Sequence, residues 1–213
     1  MKTIFISLIA VFFSLAVRAQ SYKVSYLTAD EGLSRNFVNY IYKDSKGYMW
    51  FATSKGLDRY DGYDFLHYNN TQLERYLPAD VVNCIIEDPL GDYWLGTENG
   101  LFYFSFTTGK ILPAAGKLGV NHAYLNSNIT VLQLDADGGI WIGHSQGISL
   151  LNVSKNECTL HFVYETNALS SLLLFNGYVY VAEGNSVYRL VKDNLHRYSK
   201  VQAEQRLLNL PSD

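Results

Sequence analysis

Asp58, Asp61 and Asp64 cluster beside Arg59. Closely set carboxylates of this kind can divide the acid and nucleophile roles of glycoside hydrolysis. The run Asp135-Ala136-Asp137-Gly138-Gly139 hints at a calcium loop, but no glutamate follows at the position that an EF-hand requires. Histidines stand at 67, 122, 144, 161 and 196, with no i,i+4 pair to make a metal set. Ser145-Gln146-Gly147 lacks the pattern of a nucleophile elbow. Cys84 lies in the apolar run Val81–Ile86 and Cys158 in a connecting stretch, so buried or unpaired thiols are expected rather than a disulfide. None of these groups carries a catalytic assignment. The chain is expected to be no enzyme, with no cofactor and no metal.

The elements that hold these residues explain why. One frame occurs three times without gaps: Asp44-Gly47-Trp50-Gly56, Asp88-Gly91-Trp94-Gly100 and Asp135-Gly138-Trp141-Gly147. Four fixed positions in three copies point to a repeated β unit, and the chemistry-bearing aspartates belong to its turns. Each unit opens with leucine and a turn former (Leu33-Ser34, Leu77-Pro78, Leu125-Asn126). A strand follows over 37–43, 81–87 or 129–134. Asp-x-x-Gly then turns the chain, the glycine taking positive φ. The next short strand carries the tryptophan and, two residues later, a small residue: Ala52, Gly96 or Gly143. A small residue there lets a neighbour approach closely. A second turn ends in Gly56, Gly100 or Gly147, and a third strand starts. Residues 64–68 supply a fourth strand in the first unit.

A fourth, eroded unit aligns Asn176-Gly177-Tyr178-Val179-Tyr180-Val181-Ala182 with 46–52, Tyr180 standing for tryptophan. The indoles and Tyr180 are 44, 47 and 39 residues apart, the period of a four-stranded propeller blade. The expected fold is all-β: a partial β-propeller of about four four-stranded blades near 26–70, 71–115, 116–163 and 164–205. Leu210-Pro211-Ser212-Asp213 matches Leu77-Pro78-Ala79-Asp80, so a further blade is expected to begin over 206–213. A compact four-bladed ring is the alternative to a longer propeller.

Residues 1–19 read as a signal peptide: Lys2, an uncharged run from Thr3 to Val17, then Val17-Arg18-Ala19 with small residues at −3 and −1. Cleavage after Ala19 leaves 20–213 as the propeller region; a retained signal anchor is the alternative. The 213 residues carry a formal charge of −3, without the clustered Lys and Arg that a nucleic-acid partner needs. Aromatics make up 15 % of the chain, led by 17 Tyr, which suits strands. The repeated tryptophans read as core residues. Rings able to stack on sugars belong on loops at one end of the propeller, with Tyr63, Tyr68, Tyr76 and Tyr124 as candidates among which the sequence does not choose.

The first unit, from Leu33-Ser34 through Asp44, Gly47, Trp50, Thr53 and Gly56-Leu57 to Arg59-Tyr60-Asp61-Gly62, closely resembles the two-component regulator propeller repeat. Trp94-Leu95-Gly96-Thr97-Glu98-Asn99-Gly100-Leu101 and Trp141-Ile142-Gly143 extend the resemblance, with His144 standing in place of Thr. It implies the periplasmic sensor region of a hybrid two-component histidine kinase, here an N-terminal fragment without kinase or receiver motifs. The implied function is ligand sensing, with an oligosaccharide as the ligand, a homodimer of the full sensor as the assembly, and a relative anchored in the inner membrane. An exported scaffold for another protein and a propeller lyase or glycosidase are the other readings.

Overall fold

A computed structural model describes residues 24–120, 122–155, 157–193 and 198–202. The expected leader with its Ala19 cleavage site, and the further blade expected at 206–213, lie outside the described residues. Among the described residues sixteen strands form four antiparallel sheets, each in chain order. The first sheet is β1 (Val38–Lys43), β2 (Met49–Thr53), β3 (Gly56–Tyr60) and β4 (Phe65–Tyr68). The second is β5 (Val82–Glu87), β6 (Tyr93–Thr97), β7 (Gly100–Ser105) and β8 (Lys110–Pro113). The third is β9 (Ile129–Leu134), β10 (Gly139–His144), β11 (Gly147–Val153) and β12 (Cys158–Glu165). The fourth is β13 (Leu169–Phe175), β14 (Tyr178–Glu183), β15 (Ser186–Lys192) and β16 (Tyr198–Gln202). A short helix, α1 (Ala114–Leu118), lies between the second and third sheets.

First strands of successive sheets pack on one another: β1 on β5, β5 on β9 and β9 on β13. This is the arrangement of propeller blades around their inner edge. Period-2 alternation sends one row of each sheet towards the next blade and the other row back. Trp50 accordingly packs with Tyr93 and Phe104 of the second sheet, at ring centroids of 5.1 and 5.7 Å. Trp94 shares a buried cluster with Ile129, Ile140 and Ile142 of the third sheet, and Trp141 with Val179 and Leu190 of the fourth. The opening leucines Leu33, Leu77 and Leu125 are all buried.

The small residue two places after Trp94 and after Trp141 has the expected use. A Cβ on Gly96 would stand 2.5 Å from Cys84 Sγ and 2.9 Å from Ile129 Cγ2. One on Gly143 would stand 2.8 Å from Leu169 Cδ2. Ile129 and Leu169 each open the next blade, so the missing side chain sets how closely the blades approach.

Each first strand also carries a β-bulge near its start, at 39, 83, 130 and 170. A bulge re-aims the extra side chain. At the first two it is an asparagine that crosses to the next blade: Asn39 Nδ2 donates to Val82 O and Asn83 Nδ2 to Ile129 O, both at 2.8 Å.

In the fourth unit Phe175 pairs with Tyr178, so the turn is the two residues Asn176 (φ 49°) and Gly177 (φ 75°). This Asn-Gly hairpin suits the twist of paired strands. It is shorter than the Asp-x-x-Gly turn, which links paired residues Lys43 and Met49 across five intervening positions.

Gly96→Val is expected to lower the free energy of unfolding by about 3 kcal/mol through overpacking, measured by chemical denaturation. An unchanged midpoint would contradict the close approach of Ile129.

Candidate functional site

In all three full repeats the aspartate side chain organises its own turn. Asp44 Oδ1 accepts the N–H of Lys46 (3.0 Å) and of Tyr48 (2.8 Å), while Oδ2 accepts the indole N–H of Trp50 at 2.8 Å. Asp88 repeats this with Leu90, Asp92 and Trp94 (2.9, 3.1 and 3.0 Å). Asp135 does so with Asp137, Gly139 and Trp141 (3.0, 2.7 and 2.9 Å). Gly47, Gly91 and Gly138 close these turns at φ of 92°, 85° and 86°. Buried carboxylates are costly unless hydrogen-bonded, and the three donors supply those bonds. The aspartate and the tryptophan six residues later are therefore one structural unit.

The Asp turns of the three full repeats and the fourth Asn-Gly turn lie at the same end of the sheets, and each blade seam is closed differently there. At the first seam, Ser45 N and Oγ donate to the two oxygens of Glu87 at 2.7 Å each. Lys46 Nζ pairs with Glu87 Oε1 at 3.2 Å and lies 4.4 Å from the centre of the Phe106 ring. Tyr93 donates its hydroxyl to Asp44 Oδ2 at 2.8 Å. Burial, reinforced by that carboxylate, holds the Tyr93 phenol well above the usual tyrosine range. At the second seam the contact is apolar: a Cβ on Gly138 would meet Pro89 Cγ at 3.0 Å.

Clefts open at this end among the described residues. One, of about 700 Å³, runs between the first three turns, with Lys46, Glu87, Leu90, Leu134 and Asp137 on its walls. Another, of about 670 Å³, lies at the seam of the third and fourth sheets and is lined by Asp135, Asp137, Trp141, Leu174, Lys192 and Tyr198, among others. Residues 134–137 border both clefts. Tyr198 meets Trp141 edge-on at 5.6 Å. Burial, then the charge of Asp135, raises the Tyr198 pKa.

The other candidates disperse. Asp58 is fully buried and accepts from Ser34 N (2.8 Å) and Ser34 Oγ (2.5 Å), with His67 Nδ1 at 2.7 Å. Asp61 instead caps the next turn, accepting from Tyr63 N and Asp64 N. The aspartate cluster is therefore split between a buried latch and an exposed turn. The Ser34–Asp58–His67 contact ties the segment before β1 to the first sheet, and residues so far apart in the chain gave no local signal of it.

Tyr68, expected at a loop end, is buried against Trp50 and Phe104, because as the last residue of β4 it points into the first seam. Tyr63 and Tyr76 are exposed, whereas Tyr124 is half-buried and stacked between His122 and His144. His144 is buried, and its Nδ1 accepts from Gln146 N as the hydroxyl oxygens of Thr53 and Thr97 accept from Lys55 N and Asn99 N. Cys84 and Cys158 are free thiols, with burial pushing Cys84 up to about 12. Among the described residues no group of three or more His, Cys, Asp or Glu could hold a metal ion.

The family model described as "Two component regulator propeller" matches residues 32–55, 76–99 and 123–146. The chain carries two-component regulator propeller repeats. These matches span the three Asp–Trp clamps and their hairpins. None of the curated proteins compared with this chain matches it. Among solved structures, the chain is similar to the extracellular domain of a hybrid two component system from B. thetaiotaomicron (TM-score 0.57, 21% identity, 80% of this chain and 22% of that one). It is also similar to PorZ, a bacterial surface component of the type-IX secretion system of Porphyromonas gingivalis (TM-score 0.58, 16% identity, 92% and 30%). Virginiamycin B lyase from Staphylococcus aureus shares the architecture as well (TM-score 0.52, 17% identity, 77% and 55%). The chain thus spans from about a fifth to just over half of the length of these structures. At such identities the likeness shows the propeller fold.

Asp44→Ala, which strands two backbone N–H groups, an indole and a phenol, is expected to cost about 3 kcal/mol of stability. Asp135→Ala, at a half-buried clamp without the tyrosine, should cost about half as much. Denaturant titration of both variants checks the order. Burial lowers the His144 pKa from 6.5 to about 4. The unfolded chain therefore takes up this proton first as pH falls, so stability is full above about pH 6.5 and declines towards pH 4, by roughly 3 kcal/mol. His144→Thr should flatten that part of the stability–pH profile.

Proposed function

We propose that the chain is the ligand-recognition part of an exported two-component sensor, that its ligand is an oligosaccharide, and that it binds without turnover. The observation that carries this reading is the division of labour within the repeat. The shared aspartates, glycines and tryptophans are consumed in clamps, turns and seams. The unit-specific residues Leu90, Asp137 and Lys192 are left to line clefts of ligand size at one end. The likeness to an extracellular domain of a hybrid two component system supports the sensor role. It also supports export, with the signal peptide at 1–19 as the route and the periplasm as the destination. No helix among the described residues is long and apolar enough to cross a membrane. Anchoring and kinase output belong, on this reading, to the longer sensor. Such an output requires that ligand bind its two signalling states unequally.

Recognition without chemistry fits the titratable groups. Asp58, the best-placed buried carboxylate, is filled by Ser34 and His67. Asp61 is a turn cap.

A thermal-shift screen of the full chain against oligosaccharides tests the reading. A ligand at a hundredfold its Kd adds about 2.7 kcal/mol, which should raise Tm by roughly 5–10 °C for a domain of this size, with the saccharide recovered intact. Consumption of the saccharide would make the chain an enzyme. No shift with any saccharide, together with capture of a specific envelope protein, would make it a scaffold.

A further inference from the structure

The three seams differ at positions that are equivalent by register. Glu87 pairs with Tyr93 in the second sheet, and Leu174 pairs with Val179 in the fourth. Leu174 therefore occupies the place of Glu87. By the spacing of the repeat, Ala136 and Asp137 occupy the places of Ser45 and Lys46. Each partner of the first latch is thus replaced. A serine hydroxyl becomes a methyl, a lysine becomes an aspartate, and the receiving glutamate becomes a leucine. The Asn176-Gly177 hairpin removes the longer turn that the other sheets raise at the same end. This seam lacks the side-chain latch of the first and is bridged near the turns by Leu174 N donating to Gln133 Oε1 at 3.4 Å; it holds the cleft of about 670 Å³.

Asp135 is spent on its clamp, but two charged groups in this cleft are not used by the fold. Asp137 contributes its backbone N–H to Asp135, but its exposed carboxylate meets no donor or cation among the described residues. Lys192, also exposed, lies over the Tyr198 ring at 5.7 Å and pairs with no carboxylate among them. The cleft therefore offers an acceptor, a donor and aromatic surface from Tyr178 and Tyr198. A strongly anionic ligand would meet Asp135 and Asp137, and a cationic one Lys192 and Arg189, the latter lying over the Tyr178 ring at 4.8 Å. A neutral ligand with alternating hydroxyl donors and acceptors meets neither repulsion.

Resting on the sensing role proposed above, we infer that the seam between the third and fourth sheets is the saccharide site, that it takes a neutral oligosaccharide, and that Asp137 and Lys192 bind its hydroxyls. The sugar lies against the Tyr198 and Tyr178 rings, as apolar sugar faces do on aromatic rings. The roughly 300–1,000 Å³ of ordinary small-molecule sites brackets the cleft.

Titration calorimetry of the full chain tests this, with neutral oligomers (maltohexaose, cellohexaose, xylohexaose) and uronate oligomers as probes. At least one neutral oligomer is expected to bind, and Asp137→Asn and Lys192→Met should each weaken it tenfold or more. The triple variant A136S/D137K/L174E, which rebuilds the first seam's latch at this seam, should abolish binding. Tyr63→Ala, remote and exposed, should bind as the parent does. Should the latch variant not fold, the two exposed point variants still decide. Neutral-oligomer binding that survives all three changes would overturn the site and leave the sensing role standing. A preference for uronate oligomers would overturn the inferred ligand class. No binding of any saccharide would overturn both proposals.

Discussion

A carboxylate buried at a blade edge is unfavourable by itself, and the propeller converts that cost into order. Each aspartate accepts two backbone N–H groups from its own turn and one indole N–H from the strand that follows. The backbone bonds hold the turn in one conformation, and the indole bond fixes the rotation of the tryptophan. With its nitrogen satisfied, the ring can lie fully buried against the next sheet, as Trp50 and Trp94 do. Removing either partner leaves the other as a buried polar group without a mate, so the pair is retained together. Seam packing, the approach of the first strands and the position of the turn end all follow from it.

The same clamp allows variety next to it. Because Oδ1 and Oδ2 secure the turn, the two residues between aspartate and glycine need not contribute to it. Ser45-Lys46 make a polar latch, Pro89 an apolar contact, and Ala136-Asp137 neither. Recognition surface is thus varied at positions that the fold does not require, while the polar atoms that it does require are spent on one another.

Blade architecture was legible in the sequence because its determinants are local. The tryptophan frame, the positive-φ glycines and the small residues at 52, 96 and 143 each act within one hairpin or at the adjoining strand. The hydrogen bond from tryptophan to aspartate was visible only as a spacing, since sequence alone does not say which way a turn side chain points. Tyr68 was misplaced for a related reason: a residue near a loop can still occupy the inward row of a short outer strand. The Ser34–Asp58–His67 latch and the Glu87 receiver join residues 24 and 42 positions apart. The open third seam depends on what is missing at Leu174 and in the 176–177 turn, which becomes apparent only beside the filled seams.

Every sheet is wound from consecutive strands, and the inter-sheet contacts fall between successive units. Such a chain need not bring distant segments together before native structure begins to accumulate. As the polypeptide emerges from N- to C-terminus, a completed blade can serve as the template on which the next one condenses. Its row of indoles remains wet only until β-structure from the following unit arrives to cover it.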